Sequence, residues 1–522
     1  MRDPIEPASA NPEDWSPEVE HLEQLASRGR QMGGDKRLAR QRDAGKLNVR
    51  ERIDLLLDPG TFREVGRLTG RELEDGHFQP ANFVMGHGRV DGRPVVVGGD
   101  DFTVRGGSSD AAIPRKQVWS ERLAHQYRLP VVRLIEGSGG GGSIRSLESL
   151  TSTYVPEMEG WTWVVENLRT VPVVSLVLGS VAGLGAARAV TSHYSVMVEK
   201  QSHIFVAGPP FVAPLGEIVT KEELGGSALH TRNGVISDSV RTEAEAIERA
   251  KCFLSFLPSS VFEPPPRISS EDPPDRGDEW LIRAIPRSRR AVYRIRPIIE
   301  SIVDQGSFFE IGKMWGRSSV TGLARLNGVP IAILANDPYH YGGALTAQSS
   351  RKVESFVDLA ETFRLPVVNL VDQPGFLIGS EAERAGTIRA GARALAAVYD
   401  ATVPWCTIIL RKCFGIGGAA HENAERLTYR YAWPSADWGS VPPEGGIETA
   451  YKAQLDESED PEALLVELHA RVDELRDPVL TAQGFGIEEI LDPRKTRQVL
   501  CEFAEFAAPL WQRGPGRAMF RG

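Results

Sequence analysis

Two glycine-rich loops hold the residues best suited to chemistry. One reads Gly179-Ser-Val-Ala-Gly-Leu-Gly-Ala-Ala187 and the other Arg411-Lys-Cys-Phe-Gly-Ile-Gly-Gly-Ala419. Each follows an apolar, β-branched run and leads into small residues that can begin a helix. Glycine lets the backbone turn sharply and lets a ligand approach main-chain N–H groups. Such donors can hold a developing oxyanion, each contributing about 3 kcal/mol to a transition state. The bland alternative is a plain turn with close helix-on-sheet packing. Recurrence of the loop in both halves of the chain argues against it.

Other chemistry is scarce. Gly137-Ser-Gly-Gly-Gly-Gly142 matches GxGxxG after a strand, so a dinucleotide fold is a rival, with Glu157 or Glu159 at the expected distance. No strand ends at those acids, however, and the second half has no such pattern. A phosphate-binding GxxxxGK[ST] motif, a GxSxG nucleophile elbow and an HExxH pair are all missing. His193 and His421 lie just past the two loops and read as core or surface residues. With no CxxC pair, a zinc ribbon is not expected either. An enzyme built this way depends on backbone donors.

The elements that position the loops are legible as a repeat. Arg128-Leu-Pro-Val-Val132 recurs as Arg364-Leu-Pro-Val-Val368, a shift of 236 (364 − 128). That shift also maps Pro94 to Pro330, Asp101 to Asp337, Gly106 to Gly342 and Lys116 to Lys352. Past the strand it becomes 232 (415 − 183), mapping Gly183-Leu-Gly185 onto Gly415-Ile-Gly417. Residues 131–136, 173–180, 367–372 and 405–412 are predicted strands. Residues 115–127 and 352–363 are predicted helices, and 460–476 has helical spacing. Strands alternating with helices predict an α/β fold with parallel or mixed sheets.

The domain reading is an arm at 1–20, a first domain at 21–262, a Pro-rich linker at 263–279 and a second domain at 280–522. The chain has 522 residues, enough for two large cores. A net charge of −10 argues against a nucleic-acid binder. Four cysteines without a CxxC pair fit a reducing compartment. The N-terminus has neither the apolar core of a signal peptide nor the Arg-rich character of a transit peptide. No apolar run is long enough to cross a membrane. The expected location is the cytoplasm, with the mitochondrial matrix open for a eukaryotic source.

From about Leu47 to Glu505 the chain resembles the carboxyltransferase (beta) subunit of biotin-dependent acyl-CoA carboxylases. The resemblance is carried by LNVRERIDLLLDPGTFRE (47–64), IFVAGPPFV (204–212) and KEELGGSALHTRNGVISD (221–238). VDQPGFLIGSEAERAGTIRAGARAL (371–395), YAWPSAD (431–437) and DPRKTR (492–497) add to it. The middle of the first half is similar to the methylcrotonyl branch, and DQPGF with Arg411-Lys412 to the propionyl and acetyl branch. The resemblance implies two crotonase-like (ClpP/crotonase) domains in tandem, with acyl-CoA on the first and carboxybiotin on the second. It implies a homohexamer with active sites at dimer interfaces, no metal, and a partner biotin carboxylase with a biotin carboxyl carrier protein. The acyl-CoA oxyanion loop maps to Gly183, Leu184 and Gly185, and the biotin-side loop to Ile416 and Gly417. Gly139, Gly140, Gly415, Gly418 and Ala419 map to cofactor binding.

The chain departs from the family pattern at four places. Leu184 stands where the family has glycine, and would still offer an N–H if its φ is negative. Glu136-Gly-Ser-Gly replaces D-S-G-G, Ala419-Ala-His421 follows the second loop, and Ser440-Val-Pro-Pro-Glu-Gly-Gly446 replaces V-M-G-x-x-G-A. These bear on the acyl group, which sequence does not identify. Two alternatives stay open: a biotin-linked acyl-CoA decarboxylase component, which uses the same two sites in reverse, and a non-catalytic scaffold. Alanine at Gly417 is expected to be tolerated if φ there is negative.

Overall fold

The computed structural model describes residues 14–73, 76–108, 113–137, 155 and 157–516. Gly139 and Gly140 lie outside the described residues. The chain divides into two compact units. The first comprises 1–167, 173–227 and 240–251; the second takes 168–172, 228–239 and 252–522. Residues 257–278, rich in proline, carry neither helix nor strand. The first helix starts at Ser16, with Pro at its N-terminal turn, where a missing N–H costs nothing.

In the first unit, β1 (Phe83–Val90) and β2 (Arg93–Asp100) form an antiparallel hairpin. α1 (Pro114–Tyr127) then crosses to β3 (Val131–Gly137), parallel to β2. β4 (Val173–Ala182) pairs parallel with β3, and α2 (Leu184–Val190) leads to β5 (Tyr194–Val198), parallel to β4. β3 is buried along its whole length, so it carries Val, Leu and Ile without polar alternation, and its two charged residues, Arg133 and Glu136, are buried in ion pairs.

The second unit repeats this order. β6 (Ser319–Leu326) and β7 (Val329–Asn336) form the hairpin, and α3 (Ala347–Phe363) crosses to β8 (Val367–Gln373). β9 (Trp405–Phe414) runs parallel to β8, then come α4 (Gly415–Ala419) and β10 (Tyr429–Ala432). Its main core packs Ile298, Ile299 and Ile302 with Ile331, Val368, Ile408 and Trp433.

The repeat extends to backbone detail. The hairpin tips Asp91-Gly92 (φ 49° and 78°) and Asn327-Gly328 (φ 48° and 77°) both turn with positive φ, as a tight two-residue turn requires. Arg128 and Arg364 end their helices left-handed at φ 57° and 58°. The β3/β4 register slips between Ile135 and Gly137, and the β8/β9 register slips between Val371 and Gln373. These are equivalent positions, each just ahead of a glycine loop, and such an irregularity re-aims the chain at the end of a strand.

Candidate functional site

Gly183 turns the end of β4 into α2 with φ 60° and ψ −127°, and Gly415 turns the end of β9 into α4 with φ 59°. The left-handed turn therefore falls on Gly183, and Leu184, as the first residue of α2, keeps negative φ. This meets the condition set for Leu184 as a donor. Leu184 and Ile416 occupy equivalent positions and both stand out from the surface, 41% and 61% exposed. N–H groups in the first turn of a helix have no intrahelical acceptor, so each loop offers donors at its helix start.

The expectation of room at Gly417 is overturned. Its φ is not left-handed, but a Cβ there would come within 2.8 Å of Gly375 C and 2.9 Å of its Cα. Backbone cannot yield as a flexible side chain can. Gly418 is equally confined, its Cβ falling 2.7 Å from Cys413 C, while Ala419 is exposed at the far end of α4. The clash arises from a segment forty residues away, so no local signal announces it.

Each loop rests on a buried ion pair at the end of the preceding strand, built differently in the two units. In the second, Arg411 Nε and Nη2 donate to Asp372, Arg411 Nη1 donates to Ala291 O at 2.7 Å, and the Tyr293 ring lies 4.9 Å from the guanidinium. In the first, the position of Arg411 is Gly179, where a Cβ would lie 2.3 Å from Glu136 Oε1. Glu136 turns instead to Arg52 Nη1 at 2.6 Å and Lys46 Nζ at 2.8 Å, and Arg52 also holds Glu243. A buried carboxylate needs such partners.

His193 is buried and His421 half-buried, and both make structural contacts. His193 Nδ1 accepts from Val173 N at 3.0 Å. His421 Nδ1 lies 2.5 Å from Gly418 O and 3.6 Å from Cys413 Sγ, while its carbonyl accepts from Asn369 and Trp405. Burial alone would lower its pKa. The Cys413 thiol and the Glu422 carboxylate, 3.6 Å from Nε2, outweigh that and hold it up at about 10. His421 thereby clasps the C-terminal end of α4.

Beside the first loop lie two hollows. A groove of about 840 Å³ runs past Ser180, Val181 and Ala182, with Arg37, Arg40, Lys46, Arg105 and Lys221 along it and Phe102, Phe205 and Phe211 as apolar surface. Sequence reasoning missed these cations. The Arg-rich stretch 36–42 in an acidic chain is the signal that could have found them. A second cavity, about 210 Å³, is bounded by Gly137, Leu184 and Gly185. In the second unit a cavity of about 40 Å³ lies against Gly417 and His421. Among the described residues no group of His, Cys, Asp and Glu is placed to hold a metal ion. No helix among them is long and apolar enough to cross a membrane.

Comparison with known proteins adds an independent line. The carboxyl transferase domain profile matches residues 40–511. The chain is 33% identical over 502 residues to the propionyl-CoA carboxylase carboxyltransferase subunit of Haloferax mediterranei, covering 94% of this chain and 95% of that one. It is 30% identical over 506 residues to methylmalonyl-CoA decarboxylase subunit alpha of Veillonella parvula, covering 95% and 97%. Among solved structures, transcarboxylase 12S, described as a hexamer assembly with methylmalonyl-CoA and methylmalonic acid bound, superposes with a TM-score of 0.87 at 30% identity, covering 99% of each chain.

Proposed function

Because this chain belongs to the carboxyl transferase family, among the carboxyltransferase subunits of biotin-dependent acyl-CoA carboxylases, we propose that it transfers a carboxyl group from carboxybiotin to the α or vinylogous carbon of an acyl-CoA. The observation that carries this reading is the duplicated strand–glycine–helix turn, Gly183 and Gly415, which offers one set of backbone donors per unit.

The first unit takes the acyl-CoA. Its five groove cations suit the phosphates of coenzyme A, and the apolar surface suits the pantetheine arm. The thioester oxygen sits on the Leu184 and Gly185 N–H groups, with Gly183 setting the turn. As the α-proton passes to the biotin nitrogen freed when its N–CO2 bond breaks, negative charge gathers on that oxygen, where fixed donors stabilise it without reorganising, and the enolate carbon then bonds to the released CO2.

The second unit takes the carboxyl donor, a substrate carried on a partner protein. Gly417 packs directly against the Gly375 backbone with no room for a Cβ, which fixes the path of the main chain that presents its N–H. Carboxybiotin supplies CO2 when its ureido oxygen is polarised. Ile416 and Gly417 N–H groups do the polarising, and Gly415, Gly418 and Ala419 shape the turn. The protein then contributes proximity and two oxyanion sites rather than a nucleophilic side chain. The partners are a biotin carboxylase and its biotin carboxyl carrier protein, and the assembly is a homohexamer.

The same two sites serve decarboxylation of a malonyl-type CoA, and the likeness to the Veillonella decarboxylase subunit supports that direction as a second reading. The test is the purified chain with methylmalonyl-CoA and free biotin. Biotin-dependent loss of the malonyl thioester is expected. Absence of that reaction with every malonyl-type CoA, while CoA esters still bind, contradicts the proposal and leaves a scaffold.

A further inference from the structure

A side-chain cluster that carboxyl transfer leaves unused stands in the groove of the first unit. Ser180 lies near the end of β4 and lines the groove, half-buried. The short parallel strand His203–Phe205 runs beside it, in a register that sets His203 opposite Ser180. Ser180 Oγ lies 3.1 Å from His203 Nδ1. On the other side of the ring, His203 Nε2 lies 3.3 Å from Glu222 Oε2, on the helix Lys221–Gly225.

A carboxylate only accepts, so Glu222 draws the ring proton to Nε2. That leaves Nδ1 as the acceptor for the Ser180 hydroxyl. Burial pulls the His203 pKa below the ordinary histidine value, with Lys221 and Lys46 adding to the fall and the Glu222 carboxylate opposing it. The imidazole is therefore mainly neutral at pH 7 and able to take a proton. A hydroxyl within reach of a neutral imidazole that a carboxylate orients is the arrangement of an activated nucleophile. It is recognised by geometry and needs no GxSxG motif.

The repeat supplies a control. The equivalent register of the second unit pairs Lys412 with Asp437, and Asp437 accepts from Arg476 Nε at 2.8 Å. The fold thus needs neither a hydroxyl nor an imidazole at this place. The glycine turn is common to both units, and only the first sets a serine beside a histidine ahead of it. The Leu184 and Gly185 N–H groups follow Ser180 closely in the chain, just past the end of the same strand.

Resting on the acyl-CoA reading above, we propose that Ser180, His203 and Glu222 form a nucleophilic triad that hydrolyses the thioester of an acyl-CoA lying in the groove. Ser180 Oγ bonds to the thioester carbon as its proton passes to His203 Nδ1. The carbonyl oxygen becomes anionic on the loop donors. The C–S bond then breaks, the Nδ1 proton goes to the CoA sulfur, and an acyl ester of Ser180 remains. Water gives a proton to Nδ1 and bonds to the acyl carbon. Ser180 leaves with that proton, and a carboxylic acid is released. Ser180 and His203 touch the reacting atoms, and Glu222 is a positioning residue. The chain thereby has a second outlet for a CoA ester when no carboxyl donor is present.

The test follows free thiol released from propionyl- and butyryl-CoA by the full chain, with no biotin and no partner added. Calorimetry on the same samples records the affinity for each ester. Thiol release should exceed the spontaneous rate at least ~10²-fold, and Ser180→Ala should lower it at least ~10²-fold with the ester still bound. Ser180→Cys, which keeps a nucleophile, should retain part of it. Glu222→Gln should move the acid limb of the pH profile to lower pH, because the carboxylate that raises the His203 pKa is gone. Glu222 is part-exposed, so this variant decides the matter if changes at Ser180 prevent folding. No release above the spontaneous rate while the esters bind, release unchanged in Ser180→Ala, or an unmoved acid limb in Glu222→Gln overturns the triad. If no CoA ester binds, the acyl-CoA reading itself fails, and this one with it.

Discussion

Gly183 and Gly415, at equivalent positions of the two repeats, turn with the same φ, 60° and 59°. Each is the hinge between a buried strand and a short helix, and each is followed by an exposed apolar residue and a second glycine. Positive φ costs an L-residue about 1–2 kcal/mol. Gly415→Ala should therefore lose about that much stability, with its Cβ also 3.3 Å from Ser440 O. Because the turn aims the donors, carboxyl transfer should fall by more than the stability loss accounts for. Chemical denaturation and turnover on the same preparation measure both.

Gly417→Ala separates space from φ. The methyl group meets the backbone of Gly375, so a loss of about 1–3 kcal/mol is expected, as for other overpacked sites. Turnover should fall sharply while the affinity for CoA esters stays near the wild-type value, because the acyl-CoA lies on the other unit. A variant with normal stability and turnover would contradict the close approach.

Asp100 makes stability depend on pH in a defined direction. Burial raises its pKa from the ordinary carboxyl range to about 6, against the lowering influence of Arg188 and of the bonds from the Glu136 N–H and Gln117; the Glu136 charge adds to the rise. Between pH 4 and 6 the unfolded chain gives up this proton first, so stability falls as pH rises through that window. Above pH 6 the penalty is constant. Two pKa units correspond to about 3 kcal/mol at most. Asp100→Asn should thus match the wild type near pH 4 and exceed it by about 1–3 kcal/mol at pH 7.5. Thermal melts at the two pH values test this, and an equal difference at both would remove the assigned shift.

Partner dependence is a further expectation. The chain carries no phosphate-binding P-loop and no biotinyl-lysine motif of the AMKM type. Alone, it should not fix bicarbonate with ATP. Adding a biotin carboxylase and a biotinylated carrier should establish ATP-dependent carboxylation of an acyl-CoA. Fixation by the isolated chain would contradict the division of labour.

Much of this was legible in the residues. The repeat, the four buried strands, the crossover helices and both glycine loops follow from periodicity and from the two constant shifts, since strands buried on both faces read as short, mainly apolar, β-branched runs without alternation. The negative φ required of Leu184 is met because the adjacent Gly183 absorbs the positive-φ turn. What stayed hidden depends on contacts between distant segments. The crowding at Gly417 comes from Gly375, and Glu136 finds its partner in Arg52, eighty-four residues away. Glu121 and Arg133 look in sequence like scattered charges, and only the fold pairs them and brings the Arg133 guanidinium to the Arg188 carbonyl of α2. Loop residues 138–142, singled out for their glycines, lie outside the described residues.

The central claim is that main-chain N–H groups at two equivalent helix starts do the chemistry. Leu184→Pro and Ile416→Pro test it most directly. Each position is exposed and in the first turn of its helix, where proline is best tolerated, and each substitution deletes one N–H. With folding confirmed by thermal melts, kcat for carboxyl transfer should fall at least ~10²-fold in both. Ile416→Pro should keep its affinity for CoA esters, and Leu184→Pro should keep its saturation by free biotin. Near-normal turnover in both folded variants would show that the loops are structural and that the oxyanion roles given to them are wrong.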